Sequence, residues 1–388
     1  MNRDAIERQV ALMQREGLDG MVAFSHQNFA WVTGFVVPTH PLMRWRLTAV
    51  VTTADGRTGL FTLSMEERTI RAHEPQADAW IWDEFLDNAI PTFAEMIAAL
   101  GLANGRVGIE TDVIQWKYAQ EIEAALPGVT WVPAQDHFDR LRFIKSDREI
   151  ALIRKLSKLT DKSLGEALAA VRAGDSEMDL AGALGGAIYR NGAENFPIMI
   201  CASGARSTIP NGGPSDKIID PGDIIRLEAF GVIGGYHAGV ARTAYAETAP
   251  PQARRDYAVL IQARDYLLET IRPGVQTNQV FQQFSTILEN GGLKIINFLG
   301  HGIGLNLHEK PYFERHSDYR IEQNMVLGVE PYTFKDDYAL QIKDIIAVTA
   351  DGVELLSDVT DVSELICIGA AAGSSAAHDL NSRPEAVQ

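Results

Sequence analysis

Cysteine is nearly absent: Cys201 and Cys367 are the only two in 388 residues. Two such distant thiols make neither a disulfide framework nor a zinc–thiolate site, and a reducing cytoplasm is the simple reading. An excess of positive charge is also missing. Lys and Arg number 35 against 51 Asp and Glu, a formal charge of −16, which argues against nucleic acid and anionic membrane as partners. No run is long and apolar enough to span a bilayer. The opening MNRDAIERQVALMQREG carries charges throughout and reads as an amphipathic helix rather than a targeting leader. The rest is ordinary globular material, 46% hydrophobic and 22% charged, in a chain too long for one usual core. Two domains are therefore expected.

Residues 1–140 alternate helix and strand. The first helix stops near Gly17; DGMVAFS, LTAVVTT and TGLFTL read as strands, the last two joined by a turn at Ala54-Asp55-Gly56. Helices follow at 90–101 and 117–128, on either side of the strand in GRVGIETD, and the second ends at Pro127-Gly128. The segment 25–46 reads as turn-rich. Ser146-Asp147-Arg148-Glu149 is a capping box that opens a long helix, 147–172, and a second helix covers 178–191. FPIMICASG is a buried strand, and 205–223 a polar loop. IIRLEAFGVIGGYHAGVARTAYAE is a β-hairpin turning at Gly234-Gly235, followed by helices at 252–273 and 277–291. The tail 369–388 is small, polar and expected to be disordered.

The chemistry concentrates between Gly300 and Asp344. GHGIGLNLHE puts His301 and His308 on a glycine-rich segment, VLGVEPYTF ends an apolar run on Glu330, and Lys343-Asp344 interrupt the strand-like LQIKDIIAV. Polar groups set in apolar strands cost several kcal/mol unless paired, so one pocket is expected to gather them. Glu228, among apolar neighbours in the hairpin, should face the same polar spot. Side chains two apart on a strand share a face, which places His237 on the face of Gly239 and makes it a pocket candidate.

Four of these stretches, in this order, resemble the pita-bread superfamily of creatinase, prolidase, aminopeptidase P and methionine aminopeptidase (peptidase family M24). They are PGDIIRLEAFGVIGGYHAGVARTAY, GHGIGLNLHE, GVEPYTF and QIKDIIAVTADGVELLS. The resemblance implies an α/β (α+β) fold class: an N-terminal creatinase/prolidase-like domain at 1–143 and a pita-bread catalytic domain at 144–368. The family's peptidases hold two divalent ions with two aspartates, a histidine and two glutamates. Carried over, these positions are Glu228, Gly239, His301, Glu330 and Lys343. One carboxylate is lost and another replaced by a cation, so no metal and no cofactor is expected; a single ion on His301, Glu330 and Glu228 is the alternative. In the family His308 shuttles protons or binds substrate, and a histidine often stands where this chain has Asn211.

Together these residues point to a metal-independent hydrolase of a C–N bond (amide, amidine, urea or guanidino type) in a small polar molecule, creatinase-like or ectoine-hydrolase-like. The alternatives are a metal-dependent Xaa-Pro aminopeptidase or dipeptidase, and a lyase or non-catalytic binding protein on the same fold. His301 and His308 are the acid–base candidates; Glu330 or Glu228 would activate water, and Lys343 would sit between these carboxylates in place of the metal. Asn211 and His237 are candidates for substrate binding. So are Arg44 and Arg46, acting across a homodimer whose partner N-terminal domain closes the pocket. Arg242 is expected to hold structure.

Overall fold

The computed structural model describes residues 1–368; the tail from 369 to 388, with the disorder expected of it, lies outside the described residues. The N-terminal sheet has six strands in the order Ala79–Trp82, Thr58–Leu63, Ala49–Thr53, Gly20–Ala23, Arg106–Ile109, Thr130–Pro133. Both faces are covered by helices, and the two-residue period of the strands shows it. Val22 packs with Phe61, Phe93 and Ile122 on one side, while its neighbours Met21 and Ala23 pack with Leu12, Phe29 and Trp31 on the other. The first helix, Arg3–Glu16, ends on Gly17, whose φ of 66° is the left-handed conformation that glycine takes without strain. The segment 25–46 is less turn-rich than its composition suggests. Ser25 caps a helix at His26–Thr33 by accepting from the Asn28 N–H.

Beside a small two-stranded pair, Tyr332–Phe334 with Ala339–Gln341, the remainder builds two larger sheets that meet edge to edge. One carries Ile366–Ile368, Tyr236–Ala246, Ile224–Ile233 and Met199–Ser203; the other Glu309–Phe313, Gly300–Gly302, Val326–Val329, Asp344–Val348 and Val353–Leu355. They join at Ala241 and Lys343, whose backbones exchange two hydrogen bonds. The helices Asp147–Ala170 and Glu177–Arg190 cover the first sheet, and Pro251–Thr270 and Thr277–Asn290 the second. Ser146 and Glu149 form the reciprocal capping box that starts the longest helix. No described helix is long and apolar enough to cross a membrane.

One buried arginine locks this junction. Arg242 is fully enclosed; its Nε donates to Asp161 at 2.9 Å, and its Nη1 to Asp344 at 3.0 Å and to the Lys343 carbonyl at 2.9 Å. Arg264 reaches the other oxygen of Asp344 at 2.6 Å. Asp344 therefore turns away from its neighbour Lys343 and serves the fold. Burial alone would raise its carboxyl, but Arg242 and Arg264 hold it below the usual carboxylate range.

Candidate active site

Lys343 sits where the two sheets join, and its side chain enters the space between them. Its Nζ lies 2.9 Å from Glu330 Oε2 and 3.2 Å from Glu228 Oε1, with all three side chains buried. Gln341, two residues before it on the same face, donates to Glu228 Oε2 at 3.0 Å. The ammonium also stands 4.5 Å from the ring centroid of Phe230, two residues beyond Glu228. Burial would lower the lysine, yet the two carboxylates raise it above its ordinary value, so it is a fixed cation. Burial pushes Glu330 up to about 7, with Lys343 opposing only part of the rise.

His301 closes the buried end. Its Nδ1 lies 2.7 Å from the Gly302 carbonyl oxygen. A carbonyl only accepts, so Nδ1 carries the proton and Nε2 presents a lone pair. That Nε2 faces Glu330 Oε1 at 3.6 Å, and neither atom has a hydrogen-bond partner. His308 stacks on His301 with ring centroids 3.7 Å apart, and Phe298 lies parallel to both. Burial, Lys343 and the neighbouring ring hold His301 well below the usual imidazole range; burial and then Lys343 bring His308 to about 4. Both rings are neutral near pH 7.

In front of this cluster is a cavity of about 230 Å³. Glu228, Phe230, His308, Glu330, Lys343 and Asn211 line it, the last from an exposed loop. Its outer walls are apolar, formed by Ile198, Ile200, Ile296, Phe298, Leu307 and Tyr332. Arg226, Tyr332 and Gln341 escaped the sequence reading. The available signal was their spacing, two residues from Glu228, Glu330 and Lys343, which for Arg226 and Glu228 is one face of one strand. Arg226 is almost fully buried under Tyr332, donates through Nη2 to the Ile209 and Pro210 carbonyls, and leaves its Nε–H unpartnered.

Three expected substrate contacts are not in this cavity. His237 does share the strand face of Glu228, but it lies at the hairpin end, where its backbone and ring meet the Gly304 carbonyl. Arg46 is held by Glu84, with Nε 2.9 Å from the carboxylate. Arg44 is exposed on the loop around 38–46, outside the cavity.

The two-ion ligand set of the resembled family does not fit here. An added Cβ at Gly239 would stand 2.3 Å from a carbon of the Phe230 ring, so the space of the second aspartate is filled by phenyl. The last glutamate position holds an ammonium bonded to two of the remaining carboxylates.

Two family models match this chain: the creatinase/prolidase N-terminal domain over residues 6–144, and metallopeptidase family M24 over 151–350. The chain belongs to metallopeptidase family M24, and its enzyme class is hydrolase. It is 29% identical over 340 residues to a probable dipeptidase PepE of Mycobacterium tuberculosis, covering 87% of this chain and 89% of that one. It is 28% identical over 221 residues to an Xaa-Pro dipeptidase of Pyrococcus furiosus, covering 56% and 64%. Its fold matches that of an Xaa-Pro dipeptidase from Bacillus anthracis with a TM-score of 0.82 at 23% identity, over 95% of this chain and 100% of that one. These relatives overturn the expectation of a metal-independent, creatinase-like hydrolase of non-peptide C–N bonds, because they are named for cleaving peptides. That expectation took the loss of the two-ion set as the loss of peptidase chemistry, which does not follow.

Proposed function

We propose that this chain hydrolyses the peptide bond of dipeptides, Xaa-Pro dipeptides included. The observation that carries the reading is a small pocket with charge at both ends: the Lys343–Glu228–Glu330 cluster at its floor and the unpartnered Arg226 Nε–H in its wall. A dipeptide is the peptide whose carboxylate lies one residue from the scissile bond. Arg226, with Asn211 beside it, takes that carboxylate, and the apolar walls take the side chains. Lys343 stabilises the oxyanion that forms as water adds to the carbonyl. Glu228 accepts the proton of that water. His301 and His308 lie beside this cluster, with His301 Nε2 3.6 Å from Glu330 Oε1. The names of the relatives support the same substrate class.

The same reading makes the chain a homodimer whose partner N-terminal domain borders the pocket. Leu42 and Trp45, largely exposed on the loop that carries Arg44, supply apolar surface for it. Product release should be followed by mass spectrometry for dipeptides, the matching dipeptide amides and tripeptides, each with chelator and with added zinc, manganese or cobalt. Cleavage of dipeptides, Xaa-Pro among them, at least ten times faster than amides and tripeptides is expected. Inactivity on every peptide under every metal condition would sink the reading.

A further inference from the structure

The loop that follows the strand Met199–Ser203 reaches the pocket through its tip. The Ile209 and Pro210 carbonyls accept from Arg226 Nη2, the Thr208 carbonyl accepts from the Tyr332 hydroxyl at 3.4 Å, and Asn211 lines the cavity. Behind the loop, away from the cavity lining, stands Glu177, fully buried at the start of the helix Glu177–Arg190. Its Oε1 accepts from the Ser203 N–H at 2.7 Å and the Ser203 hydroxyl at 3.0 Å. Its Oε2 accepts from the Ser215 N–H at 3.1 Å and the Ser215 hydroxyl at 2.7 Å. Arg206 Nε bridges the two oxygens at 3.3 and 3.1 Å, and Arg206 Nη2 donates to the Gly213 carbonyl at 2.8 Å. One carboxylate thus clasps the strand end before the loop, the turn inside it and the segment beyond its tip. An ionised glutamate only accepts, and here every neighbour can donate. An amide of the same shape would turn an –NH2 toward N–H groups and leave polar atoms unpaired in a dry place.

We propose that Glu177 is a positioning residue for the substrate's carboxylate, acting through this loop on Arg226. The inference deepens the dipeptide reading and rests on it. The guanidinium of Arg226 is buried against the Tyr332 ring, 5.1 Å from its centroid, and the loop-tip carbonyls that take Nη2 set its direction. The unpartnered Nε–H is turned by the same contacts. A hydrogen bond weakens steeply as its angle closes, so a small shift of the tip costs the carboxylate contact. The floor of the pocket is held differently. Lys343, Glu228 and Glu330 are bonded to one another and to Gln341, not to the loop. Loosening the clasp therefore weakens recognition of the carboxylate and spares the groups that act on the scissile bond.

Steady-state kinetics of full-length Glu177→Gln on a dipeptide and on its amide test this. For the dipeptide kcat/KM should fall about tenfold, almost all of it in KM, and for the amide by less than about threefold. A residue that only supported the fold would lower both substrates alike, by reducing the fraction of folded enzyme. If circular dichroism shows that Glu177→Gln does not fold, Ser215→Ala takes its place. It removes one clasped hydroxyl at a half-buried site, and should raise KM for the dipeptide about threefold with the amide unchanged. Equal losses on acid and amide, a loss confined to kcat, or unchanged kinetics in the folded variant would each overturn the proposal while the dipeptide reading stands. A wild-type enzyme indifferent to acid and amide would remove that reading, and the proposal with it.

Discussion

Phe230 and Gly239 are cross-strand partners in the hairpin, and the ring of Phe230 fills the space over the glycine, 2.3 Å from where a Cβ would begin. The pair explains why the carboxylate cannot simply be restored. Gly239→Asp must displace a buried ring and should destabilise the protein by about 1–3 kcal/mol in urea titration. Phe230→Ala in the same chain should recover most of that loss. Equal stability of Gly239→Asp and wild type would mean that the ring moves freely.

Arg242 should prove the most sensitive position outside the pocket. Arg242→Met leaves Asp161 and Asp344 buried without their shared cation, and a loss of about 3–5 kcal/mol is expected. Denaturant midpoints measured near neutral pH check this. A change below about 1 kcal/mol would place the junction's stability elsewhere.

Substrate recognition is tested at Arg226. Arg226→Met should cut kcat/KM for a dipeptide roughly 10- to 100-fold, mainly through KM, and leave cleavage of the dipeptide amide within about threefold. Equal losses on acid and amide would make Arg226 a support for the pocket loop rather than a carboxylate anchor.

The N-terminal domain should respond to acid. Burial is the main cause that brings His26 and His40 down to about 4 from an ordinary 6.5; the charge of His40 adds to the effect at His26. Both imidazoles bind fewer protons folded than unfolded across that window, so stability rises with pH. It is complete above about 6.5 and is lost as pH falls toward 4, by up to about 3 kcal/mol per ring. Urea midpoints between pH 7 and 4.5 should show a shallower slope in the His26→Gln/His40→Gln protein than in wild type.

Much of this was legible in the chain itself. The capping box at Ser146, the glycine turn at 234–235 and the helix stop at Gly17 all carry local signals that act within a few residues. Three polar interruptions in apolar runs gave one shared pocket, while Lys343 between Glu228 and Glu330 came from the resemblance to the family's ligand positions. What local pattern could not show was distance along the strand. His237 has the right parity but stands beyond the pocket, because alternation fixes a face and not a depth. Arg226 was passed over for its neighbour Glu228, though both share that face. Arg46 was read as free since Glu84, its partner, lies 38 residues away. The reading of function failed for a different reason. Counting lost ligands says which site is gone, whereas the unpartnered oxygen of Glu330 becomes visible only when the atoms around it are placed.

The position of Lys343 has a consequence for supply. A positive charge delivered by a dissolved ion is present only as far as the surroundings provide that ion. A charge carried on the chain arrives with synthesis and is never exchanged. With Glu228 and one oxygen of Glu330 already matched by this tethered charge, the carboxylates stay paired at any concentration of dissolved cations. The pocket therefore keeps these carboxylates together whatever its surroundings supply.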